Sequence, residues 1–506
     1  MQPYLKEIFL GEPSGEKEAN EKNFMEFFYD DNGNVKKILT GDEFIILGLK
    51  GTGKTILSKY VESNLKNNRN YHTKVIYTDT FLELKLKDFY DKDISDQELS
   101  LFWKWTFLYS IAEVLKEGYK KNRFNYLKLG PYKKLCKFLR DNDIDNVVKI
   151  KESSKNSNTN IGVKASSLQN ASVSSSINEG QSTSFIRKSY HEKIRELEDL
   201  VFACLKNFSI FIFFEDIDEF QSKLFRGATD NENFSFLILS MLEEVKKLNG
   251  KMRDCNPNKS KINVLLRDDL IDNIHKYSSN SNKLTAAYTT RLSWISKAHN
   301  PWEHPLSEML LKKIKSESMY YSSKSNKDVY NELFPDRIYR KTAIKFFLEN
   351  SFGRPRDVIE YLNLIKTEFP NEKAFKAKMI TEILPSFSDY FYRELQNEIR
   401  IQEDNLLIHS GLAFLEEFNR STFYYNDLFD FYRENKSQYM DISDEGVLKE
   451  MLHALYRMNV IGNSWKSKDG IVRGFGYNQT KNKHLDFNRM IVLHFALVPS
   501  IRKRNI

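Results

Sequence analysis

Cysteine is nearly missing from this chain: Cys136, Cys204 and Cys255 are the only three in 506 residues, far apart in sequence. None has histidine at metal-ligand spacing, which excludes a disulfide framework and a zinc site and leads us to expect a reducing, cytoplasmic setting. His304, His453 and His494 stand alone and read as ordinary polar residues rather than ligands. No apolar run approaches the roughly 20 residues that span a bilayer, so no membrane partner is expected. The stretch Met1–Glu7 lacks a basic region leading into an apolar core, and no signal peptide is expected. Neither charge sign dominates: the formal net charge is +8, with 29% charged residues. That mild excess is compatible with nucleic-acid contact without requiring it.

What the chain does have is enough apolar material for several cores. Hydrophobic residues make up 41% and aromatics 13%, and the length fits roughly two to four domains. The most informative stretch is Gly48-Leu49-Lys50-Gly51-Thr52-Gly53-Lys54-Thr55. It follows the apolar run Phe44–Leu47 and precedes a helical pattern, so G-x-x-x-x-G-K-T sits between a buried strand and a helix. Glycines let the backbone N–H groups curl around a phosphate, and the helix N-terminus adds to that field. Lys54 is placed to reach the β- and γ-phosphates, and the Thr55 hydroxyl to ligate Mg²⁺. Gly48, Gly51, Thr52, Gly53, Lys54 and Thr55 are therefore candidate nucleotide ligands, with ATP and Mg²⁺ the expected cofactors. No guanine-reading motif stands out.

Alternating patterns predict an α/β core at 41–300. Strands are expected at about 43–48, 74–79, 209–214 and 262–266, and a long helix at 96–121 carries Leu101, Trp105, Leu108, Ile111 and Leu115 at helical spacing. Strands alternating with helices imply a parallel sheet with nucleotide at its carboxyl edge. Residues 1–40 form an N-terminal segment whose Phe24, Phe27, Phe28 and Tyr29 are expected to pack on that core. A Ser/Asn-rich insert spans 153–184 and reads either as an element that orders on binding or as an inert linker. From 301 to 400 helices at about 303–318, 340–350, 355–368, 371–383 and 386–418 predict a helical lid. Within 401–506, helices at 423–435 and 445–458 followed by a hairpin (460–463 and 470–477) outline a winged helix.

The acidic cluster Glu215-Asp216-Ile217-Asp218-Glu219 ends the apolar run Ser209–Phe214. Mg²⁺ needs a rigid carboxylate at the end of a strand beside the P-loop strand, and hydrolysis needs a second one to orient or deprotonate water. Glu215 and Asp216 are the candidates for metal ligand and base, together with Lys54 as catalytic residues; which carboxylate takes which role stays open. Asp218 and Glu219 are further candidates. Arg267, at the tip of the 262–266 strand, either senses the γ-phosphate or pairs with Asp268, Asp269 or the Glu215 cluster. Gly353-Arg354-Pro355-Arg356 opens a helix with proline in its first turn and aims two guanidiniums beyond the helix start; Arg354 and Arg356 are therefore candidate contacts to the nucleotide's phosphates. In the winged helix, Lys449, His453 and Arg457 fall on one helical face, and Lys466, Lys468 and Arg473 populate the hairpin. They are candidate nucleic-acid contacts. The acidic helix start (Asp444, Glu445) and Glu450 favour docking on the core or on a partner instead.

These motifs, in this order, resemble the STAND-type and origin-recognition-like branch of AAA+ ATPases, in particular bacterial P-loop ATPases that end in a winged helix. The resemblance spans about residues 40–500. Gly353–Arg356 is similar to the sensor 2 motif of that group's lid, which implies that Arg356 contacts the γ-phosphate. Glu215 departs from the aspartate usual there. The resemblance further implies a homo-oligomerising, nucleotide-gated switch that controls a partner effector, in bacteria often in antiphage defence. Two other readings remain: an ATP-dependent DNA-binding initiator or loader, and a nucleotide-binding scaffold with little hydrolysis.

Overall fold

The computed structural model describes residues 1–68, 71–77, 96–121, 129–142, 179–206, 208–217, 228–255, 260–278, 281–296, 298–400, 402, 404–468, 470–478 and 484–503. Most of the Ser/Asn-rich insert, together with Asp218 and Glu219, lies outside them.

Five parallel strands form the first sheet: β1 (Ile45–Leu47), β2 (Tyr71–Tyr77), β3 (Ser209–Glu215), β4 (Lys261–Leu266) and β5 (Thr289–Arg291), in the order β2-β3-β4-β1-β5. β1, β3 and β4 are buried along their whole length, as continuous apolar runs in a two-faced parallel sheet must be. Successive side chains alternate faces. Ile45, Ile212, Phe214 and Val264 join Trp103, Phe107, Leu197 and Met241 of helices Asp96–Lys121, Glu179–Leu205 and Ala228–Cys255. Ile46, Phe211, Phe213 and Leu265 meet Leu57 and Val61 of the P-loop helix Lys54–Lys66 on the other side. This is a P-loop NTPase core.

One expectation needs correcting, and one strand was not anticipated. The acidic strand is not beside the P-loop strand: β4 lies between them, paired through Ile45↔Val264 on one side and Phe214↔Val264 on the other. All three strands are buried throughout, so hydropathy could not rank their neighbours. Strand β5, Thr-Thr-Arg, had no apolar signature because it is a short edge strand.

The N-terminal segment divides. Phe24, Phe27 and Phe28 pack on the core as expected, with Phe28 stacked on Tyr60 at 3.8 Å. Tyr29 turns the other way and donates to Glu308 at 2.5 Å. Leu5, Ile8 and Leu10 are buried in the lid instead, where Leu5 N donates to Glu372 O at 2.7 Å. The segment thus ties the lid to the core.

Lid helices run Pro305–Glu317, Asn326–Leu333, Ala343–Glu349 and Pro355–Glu368, followed by the long helix Ala377–Ile399. The last replaces an expected break near Pro385, which lies inside the helix. Proline removes one intrahelical hydrogen bond, but Ile383, Phe387, Phe391, Leu395 and Ile399 bury a continuous stripe across it. Helix Asn405–Phe418 then opens the C-terminal part, with helices Tyr425–Asn435 and Glu445–Arg457 behind it. Its antiparallel sheet contains β6 (Thr422–Phe423), β7 (Ile461–Ser467), β8 (Gly470–Gly474) and β9 (Met490–Leu493), ordered β6-β9-β7-β8. This is a winged helix. Lid and winged helix share one core, running from Leu306 and Tyr361 through Phe391 to Leu455 and Leu497.

Candidate functional site

The P-loop turns between β1 and its helix with Gly51 at φ +84 and Gly53 at φ +96, a region that L side chains rarely adopt. A Cβ on Gly48 would lie 2.4 Å from Thr52 Oγ1. The turn is braced by Thr52 Oγ1 donating to Leu49 O at 2.8 Å and by Trp294 Nε1 donating to Thr52 O at 2.9 Å. Lys54 Nζ reaches back over the loop to Gly48 O (2.9 Å) and Leu49 O (3.2 Å).

A cavity of about 470 Å³ lies at the carboxyl ends of the strands, lined by Lys54, Thr55, Glu215, Asp216, Arg267 and Arg356. A larger one, about 850 Å³, opens at the opposite ends of the strands near Gly41, Arg253 and Lys261 and contains none of the predicted site residues.

Thr55 Oγ1 donates directly to Glu215 Oε1, so the P-loop hydroxyl and the first carboxylate face each other although β4 separates their strands. Asp216 follows in a left-handed conformation, φ +62. A non-glycine residue in that region is uncommon and stores strain of order 1–3 kcal/mol. Tyr77, in register with Glu215 across β2 and β3, has its hydroxyl pushed well above its ordinary pKa by burial and then by Glu215, Glu16 and Asp216. Glu215, Glu16 and Asp216 thus gather around Tyr77.

At the tip of β4, Arg267 makes a bidentate pair with Asp269, at 3.0 and 2.8 Å, while still lining the cavity. Asp268 beside it pairs with Arg291 at 2.7 Å. Burial raises its carboxyl pKa, and Arg291 and Lys54 pull it back. Asp268 was weighed only as a partner for Arg267; the fold brings it under the influence of Lys54.

The two arginines of the Gly-Arg-Pro-Arg motif part company. Arg356 reaches the P-loop: its backbone N donates to Gly51 O at 3.4 Å, and its guanidinium meets Pro13 O at 3.3 Å and Glu394 at 3.4 Å. Lys50 pairs with the same Glu394 at 3.4 Å. Arg354, read as a second nucleotide contact, is instead 2% exposed. Asp357 Oδ2 and Oδ1 accept from its Nε and Nη2 at 2.8 and 3.2 Å, and Glu398 accepts from Nη1 at 2.6 Å. Burial opposes the charge, but those two carboxylates more than offset it and hold the guanidinium above its ordinary pKa. The reason is helical geometry: Arg354 is the N-cap residue, three before Asp357, and turns inward while Arg356 projects.

The winged-helix candidates are less open than their spacing implied. Lys449 pairs with Glu445 at 2.7 Å, and Arg457 with Asp404. His453 is tucked against Phe487 at 5.1 Å. Arg473 lies 3.8 Å from Glu349 of the lid and over the Phe495 ring. Lys466 and Lys468 are exposed. His494 is fully buried among Phe391, Phe352 and Phe475.

Residues 304–396, the lid, match a family model described as the FunZ-associated C-terminal helical domain. Two solved structures are similar along nearly the whole chain. The Orc1 protein of Aeropyrum pernix, solved in complex with DNA, is 12% identical, with 98% of this chain and 94% of that one covered and a TM-score of 0.33. Cdc6p from Pyrobaculum aerophilum is 9% identical, with 98% and 96% covered and a TM-score of 0.26. Likeness at this level carries no argument about the site's residues. No curated protein matches the chain.

Among the described residues no helix is long and apolar enough to cross a membrane.

Proposed function

We propose that the chain is an ATP-dependent switch that binds Mg-ATP in the P-loop cavity and couples its lid to the nucleotide. The observation that carries this reading is convergence. Lys54, Thr55, Glu215, Asp216 and Arg267 from the core and Arg356 from the lid line one cavity, although they are spread over some three hundred residues.

The donor set fits the expected ligand. A hydroxyl and a carboxylate in direct contact are the hard oxygens that Mg²⁺ prefers, and Mg²⁺ needs few protein ligands because substrate phosphates and water complete its shell. The loop is shaped by glycine: Gly51 and Gly53 take positive φ, and a Cβ on Gly48 or Gly51 would run into Thr52 or Arg356. Mg²⁺ would polarise the terminal phosphate; Thr55 and Glu215 would hold it. Lys54 would leave the carbonyls of Gly48 and Leu49 for the phosphates. Asp216, next to Glu215 and oriented by its left-handed backbone, is the residue we assign to orienting the attacking water. Arg356 reports the ligand to the lid, because its backbone already touches the P-loop and its side chain lines the cavity.

The switch is inferred to act as a homo-oligomer on a partner effector, with antiphage defence as its setting. An initiator or loader function is the alternative. It is favoured by exposed Lys466 and Lys468 on the wing, and disfavoured by the ion pairs that occupy Lys449 and Arg457. ATP turnover with and without duplex DNA, single-stranded DNA or RNA tests the choice. Indifference to all three supports the partner-controlled switch, and strong stimulation by one supports the nucleic-acid reading. Binding without turnover makes the chain a scaffold.

A further inference from the structure

The helix Ala377–Ile399 presents one face to the nucleotide cavity and an adjacent one to a second cleft. Glu394 lies 3.4 Å from both Lys50 of the P-loop and Arg356, and Glu398 holds Arg354 at 2.6 Å. Just beyond the helix, Gln402 donates at 3.5 Å to Asp269, the carboxylate that holds Arg267. The adjacent face carries Arg393, Gln396 and Arg400, at i, i+3 and i+7. Together with His409 and Glu416 of the helix Asn405–Phe418, it lines a cavity of about 620 Å³. Asn397 lines both this cavity and the nucleotide cavity.

The charge of the cleft is what sets it apart. Among the described residues neither Arg393 nor Arg400 forms an ion pair, whereas Arg267, Arg291, Arg354, Arg356 and Arg457 each have a carboxylate. Arg393 is held only through Nε, which donates to Asp389 O at 3.1 Å. Glu416, the single carboxylate among the described residues of the lining, accepts from Tyr392 at 3.2 Å. Two always-charged planar guanidiniums, an imidazole and two amides around a cavity of small-ligand size complement phosphate oxygens.

We propose that this cleft is a second anion site for a phosphate group, carried by a small phosphorylated molecule or by a nucleic-acid strand, and that its occupancy changes how tightly the P-loop holds nucleotide. Only the coupling half rests on the nucleotide reading above. A ligand bridging Arg393 and Arg400 acts on the same rigid helix whose Glu394 and Glu398 position Lys50, Arg356 and Arg354. Coupling is reciprocal: nucleotide must change the affinity of the cleft by the same factor.

The test uses the full chain. It is first titrated with a fluorescent, non-hydrolysable ATP analogue and Mg²⁺, which measures nucleotide binding by itself. The saturated protein is then titrated calorimetrically with inorganic pyrophosphate and, separately, with a ten-nucleotide oligothymidylate. Binding of pyrophosphate identifies a free phosphate compound as the ligand class, and binding of the oligonucleotide alone identifies a strand. Arg393→Ala and Arg400→Ala should each weaken the bound probe about tenfold and leave analogue affinity without probe unchanged. The probe should shift analogue affinity about fivefold or more. No binding of either probe, or full affinity in the double variant, overturns the site. Probe binding with unaltered analogue affinity overturns the coupling. If the analogue does not bind, the nucleotide reading fails, while Arg393-dependent binding of a probe to the unloaded chain still supports the cleft.

Discussion

Replacing Arg354 by alanine should unfold the lid and winged-helix body more readily, whereas Arg356→Ala should leave it nearly intact and impair nucleotide response. Arg354 is fully enclosed, with three hydrogen bonds of 2.6–3.2 Å to Asp357 and Glu398. Removing the guanidinium strands two carboxylates in a site where Asp357 has no exposed surface. Breaking a buried ion pair from one side costs about 3–5 kcal/mol. Arg356 is a different case: its side chain is 27% exposed and its pair with Glu394 spans 3.4 Å, so its loss should cost less than about 1 kcal/mol. Urea unfolding followed by far-UV circular dichroism measures the first effect, and ATP-analogue affinity measures the second. If Arg354→Ala unfolds like the wild type but binds nucleotide weakly, Arg354 reaches the ligand and the division of labour argued here is wrong.

Other outcomes follow from the same geometry. Thr55→Ala and Glu215→Gln should each raise the Mg²⁺ concentration needed for half-maximal analogue binding about tenfold or more, read by Mg²⁺ titration at fixed analogue. His494 is held at about 3, below its usual 6.5, by burial first and by Arg354, against a hydrogen bond to Ser351 O. Its folded pKa is depressed, so the unfolded chain takes up a proton as pH falls below 6.5 and stability is lost down to about 3. His494→Phe should therefore lose about 2 kcal/mol less than wild type between roughly pH 7 and 5 in urea unfolding; an identical loss would refute the assignment. Should the chain bind duplex DNA, Lys466→Glu with Lys468→Glu should reduce the salt dependence by about two units of slope. Lys449→Glu with Arg457→Glu should change it less, because Glu445 and Asp404 already engage those side chains.

The α/β core was legible because its signals are local. A glycine turn, an apolar run and an acidic strand end each depend on neighbours in sequence, and Gly48–Thr55 and Ser209–Asp216 both gave such signals. Long-range order was not legible. Nothing in Ile262–Leu266 announces that it lies between the P-loop strand and the acidic strand, since all three are buried strands of one sheet. The fate of Arg354 was hidden for a related reason: whether an arginine at a helix start turns inward depends on Asp357 and on Glu398, which lies forty-four residues away. The break expected between 383 and 386 does not occur, because the buried stripe from Ile383 to Ile399 outweighs the one hydrogen bond lost at Pro385. In the winged helix Lys449, His453 and Arg457 lie on one helix, but Phe487 and Asp404, which engage His453 and Arg457, come from outside it and could not be foreseen.

The measurement that bears most directly on the central claim is the affinity of a fluorescent ATP analogue for wild type and Lys54→Ala, each with and without Mg²⁺, beside a thermal melt of both proteins. The account predicts Mg²⁺-assisted binding to the wild type and none to the variant, with superimposable melts. Equal binding by folded Lys54→Ala would contradict it.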